Sequence, residues 1–364
     1  MGIIMEKICR FSIIGGSGFR AQYYLRISKA LPDLFQVTGM VVRNEEKAKE
    51  MEKQWNIPTY PTLAALLDKE TPDFVVVSAN PQACATYILE LAKHQIPALA
   101  ETPPAPDFAG LIMLHEKLTE KGAKVQVAEQ YHFHPIQQAR LSLINEGRLG
   151  KITEATVSIS HFYHGVSLLR KMLAVGFEDV EIRGKRFYSH LVAGPSRAGY
   201  PAEEKIVKAP RDLVWLDFGD KLGIYDFTKD QHRSWIRSNH LSVRGERGEI
   251  FDNRVKLLKD FKTPVHIDLK RINKGEYENQ EGLFLYGILA GEDWAYKNPF
   301  VPARLYDDEL AIATCLVKMI DYVQGGPSFY SLREASQDYY LGMKMEEALT
   351  TGETIKTSRQ PWVQ

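Results

Sequence analysis

Several stretches of the chain combine residue types and spacings that could do chemistry. Phe11-Ser-Ile-Ile14 runs into Gly15, Gly16 and Gly18. The spacing Gly16-x-Gly18-x-x-Ala21 lets backbone N–H groups approach a pyrophosphate at a helix N-terminus. Ser17, Phe19 and Arg20 fill that loop. Glycine-rich strand-to-helix turns also occur without a ligand, so the motif needs its context. In Ala100-Glu101-Thr102-Pro103-Pro104-Ala-Pro106 a charge sits at a strand end and prolines stiffen the rest of the loop; a rigid loop with a capping carboxylate is the plainer alternative. His161-Phe-Tyr163-His164 opens a helix. Imidazole titrates near neutrality and can take a hydroxyl proton as hydride leaves the same carbon, although a histidine opening a helix also serves as a structural cap.

Asp226-Phe-Thr-Lys-Asp-Gln231-His232-Arg-Ser-Trp235-Ile-Arg237-Ser-Asn-His240 mixes flat hydrogen-bonding groups with tryptophan, which suits a sugar; a charged strand edge or subunit contact is the alternative. Gln130, His132 and His134 are candidates to line the same polar cleft. The histidine pairs 132/134 and 161/164 show no clear carboxylate partner in the sequence, so no metal ligand set is assigned.

The elements that must position these residues fall into two patterns. Up to about residue 130, short apolar strands (Phe11–Ile14, Gln36–Val42, Phe74–Ser78, Ile96–Ala100, Lys124–Val127) alternate with helices such as Glu45–Trp55 and Phe108–Lys121, which predicts a doubly wound parallel sheet. Pro58 and Pro61 mark a connector. This is the context the glycine motif requires, and Asn80, just past the third of these strands, joins the expected cofactor set. At the tip of the second strand, where an acidic residue usually meets the ribose, stands Val42-Arg43-Asn44. Arg43 can pair with a 2′-phosphate, favouring NADP; alternatively it is solvated and Glu45 or Glu46 reaches the ribose.

Beyond Gly150 the pattern changes. Lys151–Ser160 alternates with period two, a helix runs from His164 to about Ala174, and strands are expected at Val180–Ile182, Leu213–Asp217, Lys221–Asp226 (with a turn at Gly219) and His240–Arg244. Two helices come next, at Asp308–Gln324 and Leu332–Leu349, closed by Gly325 and Gly352. The expectation is a Rossmann domain over residues 1–129 and an α+β domain built on a mostly antiparallel sheet over 130–364.

Bulk properties narrow the class. Lys+Arg and Asp+Glu are each 46, so no global charge attracts nucleic acid or an anionic membrane. Cys9, Cys84 and Cys315 are far apart, which fits a reduced, cytoplasmic setting better than a disulfide framework. Charges at Glu6, Lys7 and Arg10 oppose a signal peptide, and Met5 is a candidate start.

The chain resembles the glucose-fructose oxidoreductase and inositol dehydrogenase family, Gfo/Idh/MocA. The resemblance rests on the glycine loop, Glu101-Thr102-Pro103 where the family has Glu-Lys-Pro, Gln130-Tyr-His132-Phe133-His-Pro135, and Glu146-Gly-Arg-Leu-Gly150-Lys-Ile, and it spans residue 7 to about 352. It implies a large open sheet in the second domain and an NAD- or NADP-dependent oxidoreductase acting on a hydroxyl or keto group of a sugar, glycoside or cyclitol, assembled as a homodimer or homotetramer. His164 matches the family's acid/base histidine, Tyr163 or His161 share its proton traffic, and Glu101 lies near the nicotinamide ribose. Thr102 replaces the family lysine, and a hydroxyl does not titrate usefully near neutrality. The loop before His164 is also shortened. These departures leave two further readings open: an enzyme that recycles a tightly held cofactor within one cycle, giving cleavage, epimerisation or elimination, and a cofactor-binding sensor that has lost catalysis.

Overall fold

A computed structural model describes residues 7–275 and 282–363 of the chain; the expectation about Met5 and Glu6 lies outside them. The N-terminal part alternates strand and helix: β1 (Cys9–Ile14), α1 (Ala21–Ala30), β2 (Phe35–Val41), α2 (Glu45–Trp55), β3 (Thr59–Tyr60), α3 (Leu63–Leu67), β4 (Phe74–Val77), α4 (Pro81–Lys93), β5 (Ala98–Ala100), α5 (Phe108–Lys121) and β6 (Val125–Val127). The six strands pair in parallel in the order β3-β2-β1-β4-β5-β6, the doubly wound arrangement that opens a crevice where the winding reverses between β1 and β4. The Pro58–Pro61 connector itself carries the two-residue strand β3, too short for a periodic signal.

The second part begins with α6 (Pro135–Asn145), β7 (Ile152–Ser158) and α7 (Phe162–Leu173). It continues through β8 (Glu181–Val192), β9 (Ile206–Asp217), β10 (Leu222–Phe227), β11 (His240–Gly245), β12 (Gly248–Phe251), β13 (Arg254–Asp260), β14 (Thr263–Lys274), β15 (Phe284–Ala290) and β16 (Asp293–Lys297). The chain closes with α8 (Asp307–Val323), α9 (Leu332–Thr351) and β17 (Ile355–Lys356). Among the described residues these strands form an 11-stranded sheet in the order β16-β15-β14-β13-β12-β11-β7-β10-β9-β8-β17, antiparallel except for β7 with β10.

This domain departs from its sequence reading in particular ways. The strand expected at Val180–Ile182 extends to Val192, and its partner starts at Ile206 rather than Leu213, because the two pair without interruption over both lengths while carrying Arg, Lys and His on an exposed face. The helix expected from His164 begins at Phe162. Helix α6 was hidden because polar Gln137 and Arg140 occupy its buried face, where the Arg140 guanidinium donates to the Asp252 carbonyl oxygen at 2.9 and 3.0 Å. The sequence reading assigns no strands to β12 to β16, of which β13 and β14 carry charges on one open face.

The two parts are stitched together at β6. Gln126 Oε1 accepts hydrogen bonds from Ser328 Oγ and the amides of Phe329 and Tyr330, and the Val127 amide donates to the Tyr330 carbonyl. This holds the start of α9 against the sheet's last strand. Helix α7 in turn lies unusually close to β10: a Cβ on Gly165 would sit 2.5 Å from the Tyr225 ring, and one on Gly223 would sit 2.5 Å from Leu169. Such close packing fixes the position of the helix that carries His164.

Candidate active site

The glycine loop forms a cradle with no room for side chains. Gly15 has φ +83° and a Cβ there would meet the Ser78 carbonyl oxygen; a Cβ on Gly16 would lie 2.7 Å from Met40. Helix α1 begins without a side-chain cap, so its first amides are free to face an anion. Ser17 and Phe19 are exposed on this loop. Arg20 turns inward, its Nε donating to Glu101 Oε1 at 2.8 Å, and the Tyr24 hydroxyl donates to the same oxygen at 2.5 Å. The carboxylate at the end of β5 therefore stands beneath the glycine loop. Burial and the Glu101 charge push the Tyr24 phenol well up, so it stays a donor. Asn80 spends its side chain capping α4 through the Ala83 amide. At the tip of β2, Arg43 is exposed, while Asn44 caps α2 and Glu45 pairs with Lys49 at 2.8 Å.

Across the crevice, His164 lies in the first turn of α7. The helix is entered through Phe162, whose φ of +39° is rare for a side-chain-bearing residue and whose amide donates to the Tyr225 hydroxyl at 3.0 Å. His164 Nδ1 lies 2.5 Å from Glu129 Oε2, and both side chains are buried. Glu129 comes directly after β6 and corrects the expectation that His164 lacks a carboxylate partner. A carboxylate accepts only, so Nδ1 carries a proton, the tautomer that in a neutral ring leaves Nε2 its lone pair. The sequence signal for Glu129 was its place just past the carboxyl end of a parallel strand.

The surroundings sort the other candidates. Tyr163 lines the same small pocket as Thr102, and burial pushes its phenol up, so it serves as a donor rather than a base. Tyr131, which carries no motif in the sequence, places its ring 4.7 Å from that of His164. His161 Nδ1 is 3.4 Å from His232 Nε2. Burial, then the neighbouring His164 and His232, lower His161 to about 4, and burial also lowers His232; both are neutral at pH 7. His132 is a core residue, its ring 5.1 Å from that of Tyr330 and its pKa driven well down by burial. Gln130 is buried beside it in sequence with its Oε1 unpartnered among the described residues. Gln231 spends its amide on Ser158, Ser238 and Thr228, tying the loop after β10 to β7. Arg237 donates to the Ile236 carbonyl at 2.9 Å. The structure thus unites Thr102, Tyr163, His164, His161 and His232 and leaves His132 and Gln231 in supporting positions.

Residues 9–129 match the family model GFO_IDH_MocA, described as an oxidoreductase family with an NAD-binding Rossmann fold. The N-terminal domain belongs to the Gfo/Idh/MocA oxidoreductase family. No curated protein is significantly similar in sequence. Solved structures similar in fold include levoglucosan dehydrogenase in complex with NADH, 14% identical with 97% of this chain and 100% of that chain covered and a TM-score of 0.68. Another is a myo-inositol dehydrogenase from Corynebacterium glutamicum, 15% identical over 97% and 100% of the two chains, TM-score 0.66. A third is the WlbA dehydrogenase from Bordetella pertussis in complex with NADH and UDP-GlcNAcA, 14% identical over 97% and 100%, TM-score 0.64. The Gfo/Idh/MocA domain is therefore joined here to a second domain that completes the fold of these dehydrogenases. Among the described residues no helix is long and apolar enough to cross a membrane, and no group of three or more His, Cys, Asp or Glu is arranged to hold a metal.

Proposed function

We propose that the protein is an NAD(P)-dependent dehydrogenase acting on a hydroxyl or keto group of a sugar, glycoside or cyclitol, with His164 as general acid/base. The observation that carries this reading is the buried Glu129–His164 pair opposite the glycine cradle. Residues 1–129 hold the dinucleotide and 130–364 the substrate. Gly16, Gly18 and the amides opening α1 suit a pyrophosphate, Glu101 with Arg20 suits the nicotinamide ribose, and exposed Arg43 suits the 2′-phosphate of NADP. When bound, the nicotinamide supplies the hydride acceptor or donor.

The chain's own residues handle the proton. His164 Nε2 accepts the substrate hydroxyl proton, and Glu129 accepts from Nδ1–H, holding the ring in the productive tautomer and stabilising the imidazolium. Tyr163, kept protonated beside Thr102, donates a hydrogen bond to the reacting oxygen in place of the family lysine. In the reduction direction the same proton returns from His164 to the carbonyl oxygen.

The exposed face of the large sheet, carrying Phe187, Trp215, Phe251 and Trp294, fits assembly into a homodimer or homotetramer. Three buried, unpaired cysteines fit a reducing, cytoplasmic setting. The test is reduced-nicotinamide formation from NAD+ or NADP+ across a panel of sugars, sugar acids, glycosides and cyclitols. Saturable turnover on a panel member supports the reading, and none on any member sinks it.

A further inference from the structure

The cleft mouth carries charge that the proton chemistry does not use. Between β8 and β9 the chain makes a long excursion over residues 193–205, and Arg197 at its far side places its guanidinium carbon 4.8 Å from the Phe19 ring of the glycine loop. The excursion is braced against the segment after β10: a Cβ on Gly194 would sit 3.6 Å from the Ser234 Cα, and the Tyr200 and Trp235 rings are 5.5 Å apart. That segment contributes Lys229 and Arg233, both exposed and flanking His232. Among the described residues none of the three cations has a side-chain hydrogen bond or ion pair. Elsewhere on the same sheet several arginines are matched: Arg186 with Asp212 and Glu346, Arg211 with Asp226, Arg244 with Glu154 and Glu249. The carboxylate within the turn, Asp230, lies 3.3 Å from the Thr228 hydroxyl, which donates to it. Burial is the main cause that keeps His161 and His232 neutral; the positive charge of Arg197 and Lys229, and for His232 also of Arg233, adds to it beside the histidine pair. Unmatched cations concentrated at one end of a cleft lower the energy of an anion there and steer it in.

We propose that Arg197, Lys229 and Arg233 form an anion subsite at the mouth of the His164 cleft, so that the substrate is a sugar carrying a carboxylate or a phosphate. Exposed Tyr200 and Trp235 at the same rim offer ring faces on which the sugar can stack. The inference rests on the reading that a sugar occupies this cleft, and it narrows the class of sugar.

Calorimetric titration of the NADH-loaded protein with matched ligands tests it without requiring turnover: glucose against glucuronate and glucose 6-phosphate, and galactose against galacturonate. An anionic member is expected to bind at least about tenfold tighter than its neutral partner, the scale of one charge-assisted hydrogen bond, with the advantage shrinking as salt is raised. R197Q and R233Q should each remove most of that advantage and leave neutral-sugar and NADH affinities within about twofold. Equal binding of neutral and anionic members in every pair overturns the proposal. So do variants that weaken NADH instead, which would assign the cations to the cofactor's phosphates. An anion preference without turnover of any sugar would leave the subsite standing and refute the dehydrogenase reading; turnover without an anion preference would do the reverse.

Discussion

Replacing Glu129 by glutamine changes one charge at the most enclosed point of the site. The carboxylate side chain is 2% exposed and accepts from His164 Nδ1 at 2.5 Å. Loss of a charge-assisted hydrogen bond to the imidazolium costs about 1.5–3 kcal/mol, or roughly 10- to 150-fold in rate. An amide can also present its N–H to Nδ1, which moves the ring proton to Nε2 and leaves no lone pair for the substrate proton; in that event the whole contribution of general base catalysis, about 10²–10⁴-fold, is lost. The expected E129Q phenotype is therefore a fall in kcat of about 10²–10⁴-fold with KM changed by less than about threefold, because the residue acts on proton transfer and not on sugar contacts. E129D, which keeps the charge but shortens the reach, should recover part of the rate. Steady-state kinetics, NADH binding and thermal melts on the three proteins separate this from simple unfolding. E129Q turnover within about threefold of the parent, at an unchanged melting temperature, would refute the assignment of Glu129 as the positioning residue.

The same geometry sets other expectations. On the proposed pairing of the exposed Arg43 guanidinium with the 2′-phosphate, R43E should lower kcat/KM for NADP+ by at least about tenfold and change that for NAD+ little; steady-state comparison of the two cofactors checks this. G165A should destabilise by about 1–3 kcal/mol and reduce kcat, since its methyl would collide with Tyr225 and lift α7 off β10; denaturant unfolding with activity assays reads both. His161 is lowered to about 4 in the fold and returns to about 6.5 when unfolded. The unfolded chain thus binds more protons between those values, so stability should be intact above about pH 6.5 and fall as pH drops toward 4. The slope from this group is up to about 1.4 kcal/mol per pH unit, and H161N should flatten the profile in urea melts across that range.

What the sequence displayed and what it hid have physical reasons. The Rossmann half was legible because strands such as Phe74–Val77 are buried on both faces and read as unbroken apolar runs, and α2 and α5 carry their caps, Asn44 and Asp107, in the residue before the helix. The large sheet was half legible because one of its faces is open, so the charged alternation of β8 and β14 resembles loop composition. His164 and Thr102 could be placed by motif. Glu129 could not, because its meeting with His164 spans 35 positions and depends on α7 packing against the turn that follows β6, a tertiary contact with no local periodicity. Gln231 illustrates the reverse error: a polar residue in a polar stretch looks available, yet its amide is consumed by Ser158, Ser238 and Thr228.

The central claim is that a sugar hydroxyl gives its proton to His164 beside a bound dinucleotide. The most direct test is single-turnover measurement of nicotinamide reduction by H164N on the best panel substrate, alongside NADH titration of the same protein. The account predicts a rate lowered by about 10²–10⁴-fold with NADH affinity unchanged. H164N that reduces the nicotinamide at the parent rate would contradict it.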